Sequence, residues 1–290
     1  MTCRRQTLKA PNLHSWRAQA LEFSQWAERE PALQYRDVTK YIRYQLDSAV
    51  SYGVLDGETV REIQGGLFGS RAETGVSRNL SQVRLLHPCE PGKILAVGLN
   101  YKSHLGGRPQ PASPEMFYKP VTALQDPEGP IVIPRDSIDL HYEGELVLVI
   151  GKRVRNASKE EARDAIFGVT CGNDVSERNW QHGQGKDLQW WRAKGCDTFA
   201  PLGPAVVTGT DYGNLQLETR LNGEVVQKQT TADLIFDGPA IVSWISGWVT
   251  LMPGDIIYTG TPGSTRKLSP GDVVEVEIEN IGVLRNKVTR

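Results

Sequence analysis

The most informative segment of the sequence is His141-Tyr-Glu-Gly-Glu-Leu-Val-Leu-Val-Ile150. If it forms a β-strand, its side chains point alternately to the two faces of a sheet. One face then carries Glu143, Glu145, Val147 and Val149, and the other carries Tyr142, Leu146, Leu148 and Ile150. Both faces are apolar after the glutamates, which is typical of a strand covered on both sides. The stretch therefore predicts a central strand with two carboxylates at the mouth of the core.

These two glutamates favour a cation-binding site. Two rises of a strand place Glu143 and Glu145 about 7 Å apart, and like charges away from water are costly unless a counter-charge neutralises them. A divalent cation with oxygen ligands would supply that charge. The alternative interpretation is an exposed pair at a strand end. A solvated acidic face is predicted elsewhere, where three glutamates alternate with a clean apolar set, Glu275, Glu277 and Glu279 against Val274, Val276 and Ile278.

Further polar residues stand where they could complete such a site. Asp174 follows the apolar run 166–173 and therefore ends a predicted strand. Arg178 and Gln181 come four and seven residues later, on one face if a helical turn begins there. Loops and a Thr-Gly-Thr-Pro turn contribute three more candidates, His104, Lys194 and Thr261. Taken singly, each candidate has an ordinary interpretation as a local ion pair, an exposed lysine, a structural histidine or a turn residue.

Changes in the residue pattern along the chain divide it into three parts: an N-terminal extension over residues 1–40, a small β-rich N-terminal lobe over residues 41–91, and a body over residues 92–290. Strands are predicted at 93–98, 129–133, 142–151 and 167–171. A capping box from Ser158 to Glu161 opens one helix. Another begins after Asp237, with one face made of Ile241, Trp244, Ile245 and Trp248. Strands dominate without βαβ alternation, which predicts an α+β fold that is mostly β, with a mostly antiparallel core.

Composition excludes several classes of protein. The 290 residues carry 33 Lys+Arg against 34 Asp+Glu, so there is no electrostatic reason to expect nucleic acid or a membrane surface as partner. The most apolar region, 240–252, is too short and too interrupted to span a membrane. Four scattered cysteines indicate reduced thiols and a cytoplasmic chain. Dinucleotide, Walker, zinc-protease and serine-hydrolase motifs are missing from the sequence.

Taken together, the ordered segments resemble the fumarylacetoacetate hydrolase family from about residue 41 to the C-terminus. The landmarks are Gly98-Leu-Asn-Tyr, Phe117-Tyr-Lys-Pro, His141-Tyr-Glu-Gly-Glu-Leu, Gly172-Asn-Asp-Val-Ser-Glu-Arg, Lys194-Gly-Cys-Asp-Thr-Phe-Ala-Pro and Pro253-Gly-Asp-Ile-Ile-Tyr-Thr-Gly-Thr-Pro. Several ordered landmarks in one chain are far more specific than any one of them. The resemblance implies the family's mixed β-sandwich roll as the catalytic domain, and usually a homodimer.

The resemblance also implies roles for the candidate residues. Mg²⁺, with Mn²⁺ or Ca²⁺ as alternative ions, would be bound by Glu143, Glu145 and Asp174. A small keto-acid substrate would be contacted by Arg178, Gln181, Thr261 and Lys119, while Lys194 would polarise it as a catalytic residue. His104 matches the lid histidine that serves as general base. In such a site the ion is a Lewis acid for the 2-keto-acid unit.

One departure from the family pattern concerns the lid. Family hydrolases carry a glutamate that pairs with the lid histidine to activate water, whereas here Gly107 stands at that position and no carboxylate appears before Glu115. The family predicts a Mg²⁺-dependent hydrolase that cleaves a C–C bond in a 2,4-diketo acid of acylpyruvate type. The missing glutamate favours the alternative, an isomerase, tautomerase or decarboxylase of a 2-keto acid such as oxaloacetate or a hydroxymuconate-type compound. A catalytically idle binding protein is the second alternative.

Overall fold

The computed structural model describes residues 38–290, and residues 1–37 of the predicted 1–40 extension lie outside the described residues. The described strands are β1 Thr39–Leu46, β2 Ala49–Asp56, β3 Thr59–Gln64, β4 Ala72–Asn79, β5 Arg84–Leu86, β6 Ile94–Gly98, β7 Glu115–Lys119, β8 Leu124–Gln125, β9 Ile131–Val132, β10 Leu140–His141, β11 Gly144–Ile150, β12 Ile166–Asn173, β13 Ser176–Glu177, β14 Ala200–Thr208, β15 Gln216–Leu221, β16 Glu224–Thr230, β17 Ile256–Tyr258, β18 Val273–Ile278 and β19 Gly282–Thr289. The described α-helices are α1 Lys159–Ala165, α2 Arg178–Gln181, α3 Trp191–Gly195 and α4 Gly238–Ser246. Short 3₁₀ helices span Leu80–Gln82, Lys102–His104, Val121–Ala123 and Thr231–Asp233.

A large sheet runs through the described chain in the order β4-β3-β2-β1-β14-β12-β11-β17-β6-β7, with β5 beside β1 and β8 beside β14. Its pairs are antiparallel except β17 with β6 and β14 with β8. A second sheet has the order β16-β15-β18-β19-β9. Because β1 pairs with β14, the strands of the N-terminal region continue the large sheet. The mostly β, mostly antiparallel α+β fold predicted from the sequence is confirmed.

Strand β11 lies inside the large sheet, between β12 and β17, and every one of its residues is buried. Val147 and Val149 pack into one apolar cluster. The residues of the other face, Leu146, Leu148 and Ile150, pack into a second cluster with side chains of α4 and of the second sheet. The prediction of a strand covered on both faces is therefore confirmed. The face predicted for Tyr142 is wrong: Tyr142 belongs to the same apolar cluster as Val147 and Val149, because the strand begins at Gly144 and the pleat does not extend back to it.

The two helices predicted from their N-capping residues are present in the structure. Ser158 and Glu161 form the predicted capping box of α1. The Asp237 side chain accepts a hydrogen bond from the Ala240 N–H at 2.8 Å and begins α4. The predicted apolar face of α4 was wrong at Trp248, which follows the helix and is 64% exposed. Within residues 38–290, none of the helices has both the length and the apolar character needed to cross a membrane.

Candidate active site

Three carboxylates meet where β11 and β12 lie side by side. Glu143 precedes β11, Glu145 lies within it, and Asp174 follows β12. The antiparallel register sets Gly144 opposite Asn173, which brings the three acidic residues together. One oxygen from each lies within 4.8 Å of the others, and all three residues are at least 96% buried. We call Glu143, Glu145 and Asp174 the carboxylate cluster.

Two buried lysines and a partly buried arginine surround two members of this cluster. Lys194 Nζ, from α3, donates to Glu143 at 2.7 Å and to Asp174 at 2.6 Å. Lys119 Nζ, from the end of β7, donates to the other oxygen of Asp174 at 2.5 Å. Arg178, at the start of α2, donates to Glu143 Oε1 at 2.5 Å. Elements far apart in the sequence thus supply the charges that make these two buried carboxylates tolerable.

Glu145 stands apart from its two neighbours electrostatically. It accepts a hydrogen bond from the backbone N–H of Gly260 at 2.7 Å. Burial, together with the negative charges of Asp174 and Glu143, raises the pKa of the Glu145 carboxyl well above its usual range. Burial acts on Glu143 as well, but the charges of Arg178 and Lys194 outweigh it and hold the pKa of Glu143 well below that range. Glu145 is therefore the carboxylate of the cluster that lacks adequate positive charge.

The cluster fits a hard divalent cation. Its donor atoms are carboxylate oxygens, which Mg²⁺, Mn²⁺ and Ca²⁺ prefer over nitrogen or sulfur. Each carboxylate offers about four lone-pair positions, so hydrogen bonds to lysine or arginine leave positions free for a cation. A divalent ion held by Glu143, Glu145 and Asp174 would supply the positive charge that Glu145 lacks.

His104 ends the 3₁₀ helix Lys102–His104 and faces the cluster with one ring nitrogen. Its Nδ1 lies 2.5 Å from the carbonyl oxygen of Gly263, and because a carbonyl only accepts, Nδ1 carries the proton. Its Nε2 lies 3.9 Å from Glu143 Oε1. The Gly263 N–H donates to Ser103 Oγ at 3.0 Å, so the backbone C=O and N–H groups of Gly263 contact two successive residues of the loop. A backbone carbonyl thus orients the histidine.

Glu115 does not pair with His104 in this structure. It is the first residue of β7, lies opposite Gly98 in the sheet and is exposed. Among the described residues, Glu143 is the only carboxylate with an oxygen within 4.0 Å of a His104 ring nitrogen. The loop therefore presents a histidine without the second carboxylate that would help it to activate water.

The predicted substrate-contacting residues lie on two sides of the cluster. Arg178 Nη1 donates to Gln181 Oε1 at 2.7 Å within α2, the single helical turn that the spacing predicted. Thr261 lies in the turn after β17, where its hydroxyl donates to the Gly144 carbonyl at 2.9 Å. That hydroxyl also accepts from Gln227 at 2.8 Å. The Thr261 hydroxyl therefore fixes the turn against β11.

Several contributing residues escaped the sequence analysis. Asn173 Oδ1 accepts the Glu143 N–H at 2.9 Å, and its place next to Asp174 was a usable signal. Gln227 accepts the Gly144 N–H at 3.1 Å while donating to the turn at Thr261, so it connects both sides of the cluster. Nothing in the local sequence of β16 distinguishes Gln227 from an ordinary strand residue. Gly263 acts through its backbone, which side-chain motifs do not reveal.

Comparison with known proteins identifies the family of the chain. Residues 93–289 match the family model described as fumarylacetoacetate (FAA) hydrolase C-terminal, and residues 39–88 match one described as Rv2993c-like, N-terminal. The first match alone covers more than half of the chain, and the chain belongs to the fumarylacetoacetate hydrolase family. The resemblance found in the sequence is confirmed.

Three similar proteins have informative names. A mitochondrial oxaloacetate tautomerase of Bos taurus is 42% identical over 221 residues, which cover 72% of this chain and 70% of that protein. The crystal structure of 2-hydroxyhepta-2,4-diene-1,7-dioate isomerase from Mycobacterium marinum is 42% identical with a TM-score of 0.80, covering 87% of this chain and 98% of that one. Maleylpyruvate hydrolase from Sphingobium sp. SYK-6, solved with manganese(II) and pyruvate, is 28% identical with a TM-score of 0.70, covering 86% and 98%.

Proposed function

We propose that this protein is a divalent-cation-dependent isomerase that moves a proton between carbon and oxygen, or between two carbons, of a 2-oxo acid. The observation that carries the proposal is the orientation of the His104 ring. Its Nε2 faces the carboxylate cluster, and its Nδ1–H donates a hydrogen bond to the Gly263 carbonyl. A neutral imidazole in this tautomer can accept a proton at Nε2 and return it. Proton transfer of this kind consumes no water.

The roles of the other residues follow from their contacts. A cation bound by Glu143, Glu145 and Asp174 would be a Lewis acid for the substrate carbonyl. Lys194 and Arg178 lie against the same carboxylates and add positive charge where negative charge develops on the substrate oxygen.

The proton balance of the reaction is simple. His104 Nε2 removes a proton from the carbon beside the carbonyl, and that C–H electron pair becomes the C=C bond of the enol. The C=O π pair moves to the oxygen, which takes the proton from His104. When the substrate is a conjugated enol, His104 Nε2 instead removes the hydroxyl proton, the O–H electron pair becomes the C=O bond, the double bonds shift, and the far carbon of the conjugated system takes the proton. Substrate and product therefore have the same formula, as isomerisation requires.

Hydrolysis of a C–C bond makes a further demand, because water must be deprotonated. The described residues give His104 a carbonyl as its orienting partner, and a carbonyl stabilises a histidine cation less than a carboxylate does. The names of the bovine tautomerase and the mycobacterial isomerase support the same choice. The similarity to maleylpyruvate hydrolase keeps hydrolysis as the second candidate, and decarboxylation remains an alternative outcome. Mg²⁺ as the ion, a homodimer and a cytoplasmic location stay predictions.

The test uses the purified protein with oxaloacetate and with acetylpyruvate, with Mg²⁺ or EDTA present. Enol absorbance follows keto–enol exchange, while proton NMR identifies the products. We expect exchange that depends on Mg²⁺, needs His104 and gives no new carbon skeleton. Cleavage to pyruvate plus an acid at a comparable rate would overturn the proposal in favour of the hydrolase. Metal binding without any turnover would favour the idle binding protein.

A further inference from the structure

The guanidinium of Arg178 has two hydrogen-bond acceptors besides its ion pair with Glu143. Nη2, which donates to Glu143, also donates to Thr265 Oγ1 at 3.0 Å, and Nη1 donates to Gln181 Oε1 at 2.7 Å. A guanidinium carries five N–H donors in a rigid planar fork, so these contacts within the described chain leave one N–H on Nη1 and the one on Nε. The direction of the fork therefore decides whether these two donors reach a substrate at the carboxylate cluster.

A chain of hydrogen bonds leads from Thr265 away from the cluster. The Thr265 hydroxyl lies 2.8 Å from His141 Nδ1, and His141 Nε2 lies 3.0 Å from Asp139 Oδ1. Because a carboxylate only accepts, Nε2 carries the proton, and Nδ1 of the neutral ring is then the acceptor for the hydroxyl. Thr265 thus accepts from Arg178 and donates to His141. We call Asp139, His141 and Thr265 the positioning relay.

The backbone closes this relay into a ring. The Arg178 N–H donates to the Asp139 carbonyl at 2.9 Å, so Asp139 holds Arg178 both directly and through the relay. The Asp139 N–H donates to the two carboxylate oxygens of Glu177 at 3.1 and 3.0 Å. Glu177 is fully buried and also accepts the Asn179 N–H of α2 at 3.1 Å. The start of α2 and the relay are therefore fixed to each other.

The relay does not itself move the proton of the proposed reaction. Both ring nitrogens of His141 are used within the relay, whereas Nε2 of His104 faces the carboxylate cluster. In the described chain, the side chains of the relay hydrogen-bond to one another and to Arg178, and to none of the three carboxylates. Any effect of the relay on the reaction therefore passes through Arg178.

We propose that the positioning relay holds the Arg178 guanidinium in the direction in which its remaining N–H groups stabilise the negative charge that develops on the substrate oxygen. This inference rests on the proposed function and adds positioning residues to it. Without the Thr265 acceptor, the long side chain is free to turn into a two-pronged ion pair with Glu143, since a guanidinium fork matches a carboxylate. The donors would then turn away from the substrate, and the transition state would lose more stabilisation than the ground state.

Thr265→Val removes the hydroxyl and nearly keeps the size of the side chain. We expect kcat for Mg²⁺-dependent proton exchange of oxaloacetate to fall about tenfold while KM changes less than about twofold, because the lost interaction acts in the transition state. Thr265→Ser retains the hydroxyl and should recover most of kcat. His141→Leu should resemble Thr265→Val, because it removes the group that orients the hydroxyl. Thr170→Val is the control, since the Thr170 hydroxyl is buried without a hydrogen-bond partner in the described chain, and kcat should not change.

A second readout does not need turnover. NMR of the arginine side-chain nitrogens, assigned with Arg178→Lys, should show slow rotation of the Arg178 guanidinium, faster rotation in Thr265→Val and slow rotation again in Thr265→Ser. An unchanged kcat in Thr265→Val, or a loss that Thr265→Ser does not recover, would overturn the positioning relay. If the wild type exchanges no protons although the rotation responds to Thr265→Val, the proposed function fails while the contact to Arg178 stands, so the two failures are distinguishable.

Discussion

Glutamates at alternate positions occur at the start of β11 and along β18, and the structure places the two sets in opposite environments. At β11, Glu143 and Glu145 are almost fully buried against Asp174. At β18, Glu275 and Glu277 lie on the outer face of the second sheet, with 47% of the Glu277 side chain exposed. Both glutamates of β18 accept hydrogen bonds from Arg220, a partly exposed residue.

The difference comes from what covers each strand. The glutamates of β18 alternate with Val274, Val276 and Ile278, which take the whole buried face. In β11 the residues after Glu145 are apolar on both faces, so no face is left for solvent. Alternation of charge in a strand thus says little by itself, whereas the composition of the opposite face separates a solvated surface from a site. Matched substitutions at β11, β18 and their ion-pair partners distinguish the two environments.

The largest expected effect is a loss of stability on replacing Lys194, whose ammonium group lies between two buried carboxylates. Lys194→Met should lower the free energy of unfolding by about 3–5 kcal/mol, because Glu143 and Asp174 lose a shared buried partner. Lys228→Met removes an exposed pair and should cost less than about 1 kcal/mol. Urea unfolding in EDTA measures both. Similar losses in the two variants would mean that the buried and exposed ion pairs do not differ in energy as proposed.

The next effect concerns the metal-dependent reaction. Glu145→Gln keeps the size of the side chain but removes a negative ligand, and should reduce Mg²⁺-dependent proton exchange about 10³-fold, or about 4 kcal/mol. Glu277→Gln makes the same chemical change on the solvated strand and should leave the rate unchanged. The measurement is the exchange rate against Mg²⁺ concentration. If the rate of Glu145→Gln recovers fully at high Mg²⁺, Glu145 contributes only to the affinity for the ion and not to the chemical step.

A smaller loss is expected at the histidine. His104→Gln should slow proton exchange about 10²-fold while Mg²⁺ affinity stays nearly constant, because the histidine contacts the cluster without belonging to it. His87→Gln is the matched control, since His87 pairs with Asp126 at 2.7 Å outside the candidate site. Calorimetry of Mg²⁺ binding alongside NMR exchange separates the two properties. An unchanged rate in His104→Gln would remove the histidine from the proposed reaction.

The sequence predicted those parts of the site that depend on one strand or one helical turn. The burial of Glu145 followed from the pattern of β11, and the placing of Arg178 with Gln181 followed from helical spacing. The antiparallel meeting of β11 with Asp174 was expected only through the family resemblance. Local pattern failed at Tyr142 and Trp248, since each lies just beyond the end of its element, where the periodicity no longer applies.

Local sequence patterns could not predict the contacts between segments that are distant along the chain. The Gly263 carbonyl that orients His104 comes from 159 residues away, and Gln227 contacts the Thr261 turn from 34 residues away. Such contacts depend on how loops close over the sheet, which hydrophobic periodicity does not encode. They matter most for function here, because the partner of His104 favours proton transfer over water activation.

The smallest expected effect is the change in the free energy of unfolding caused by Glu145→Gln, and its sign reverses when Mg²⁺ is added. In EDTA, Glu145→Gln should raise the free energy of unfolding by about 1–2 kcal/mol, because a buried carboxylate with too little positive charge beside it is replaced by a neutral amide. With Mg²⁺ in excess the wild type should become the more stable protein, since binding to the folded state stabilises it. Glu277→Gln should stay within about 0.5 kcal/mol of the wild type in both conditions. Urea unfolding of the three proteins with and without Mg²⁺ gives the comparison, and a wild type that Mg²⁺ fails to stabilise would show that the carboxylate cluster is held together by its lysines and arginine alone.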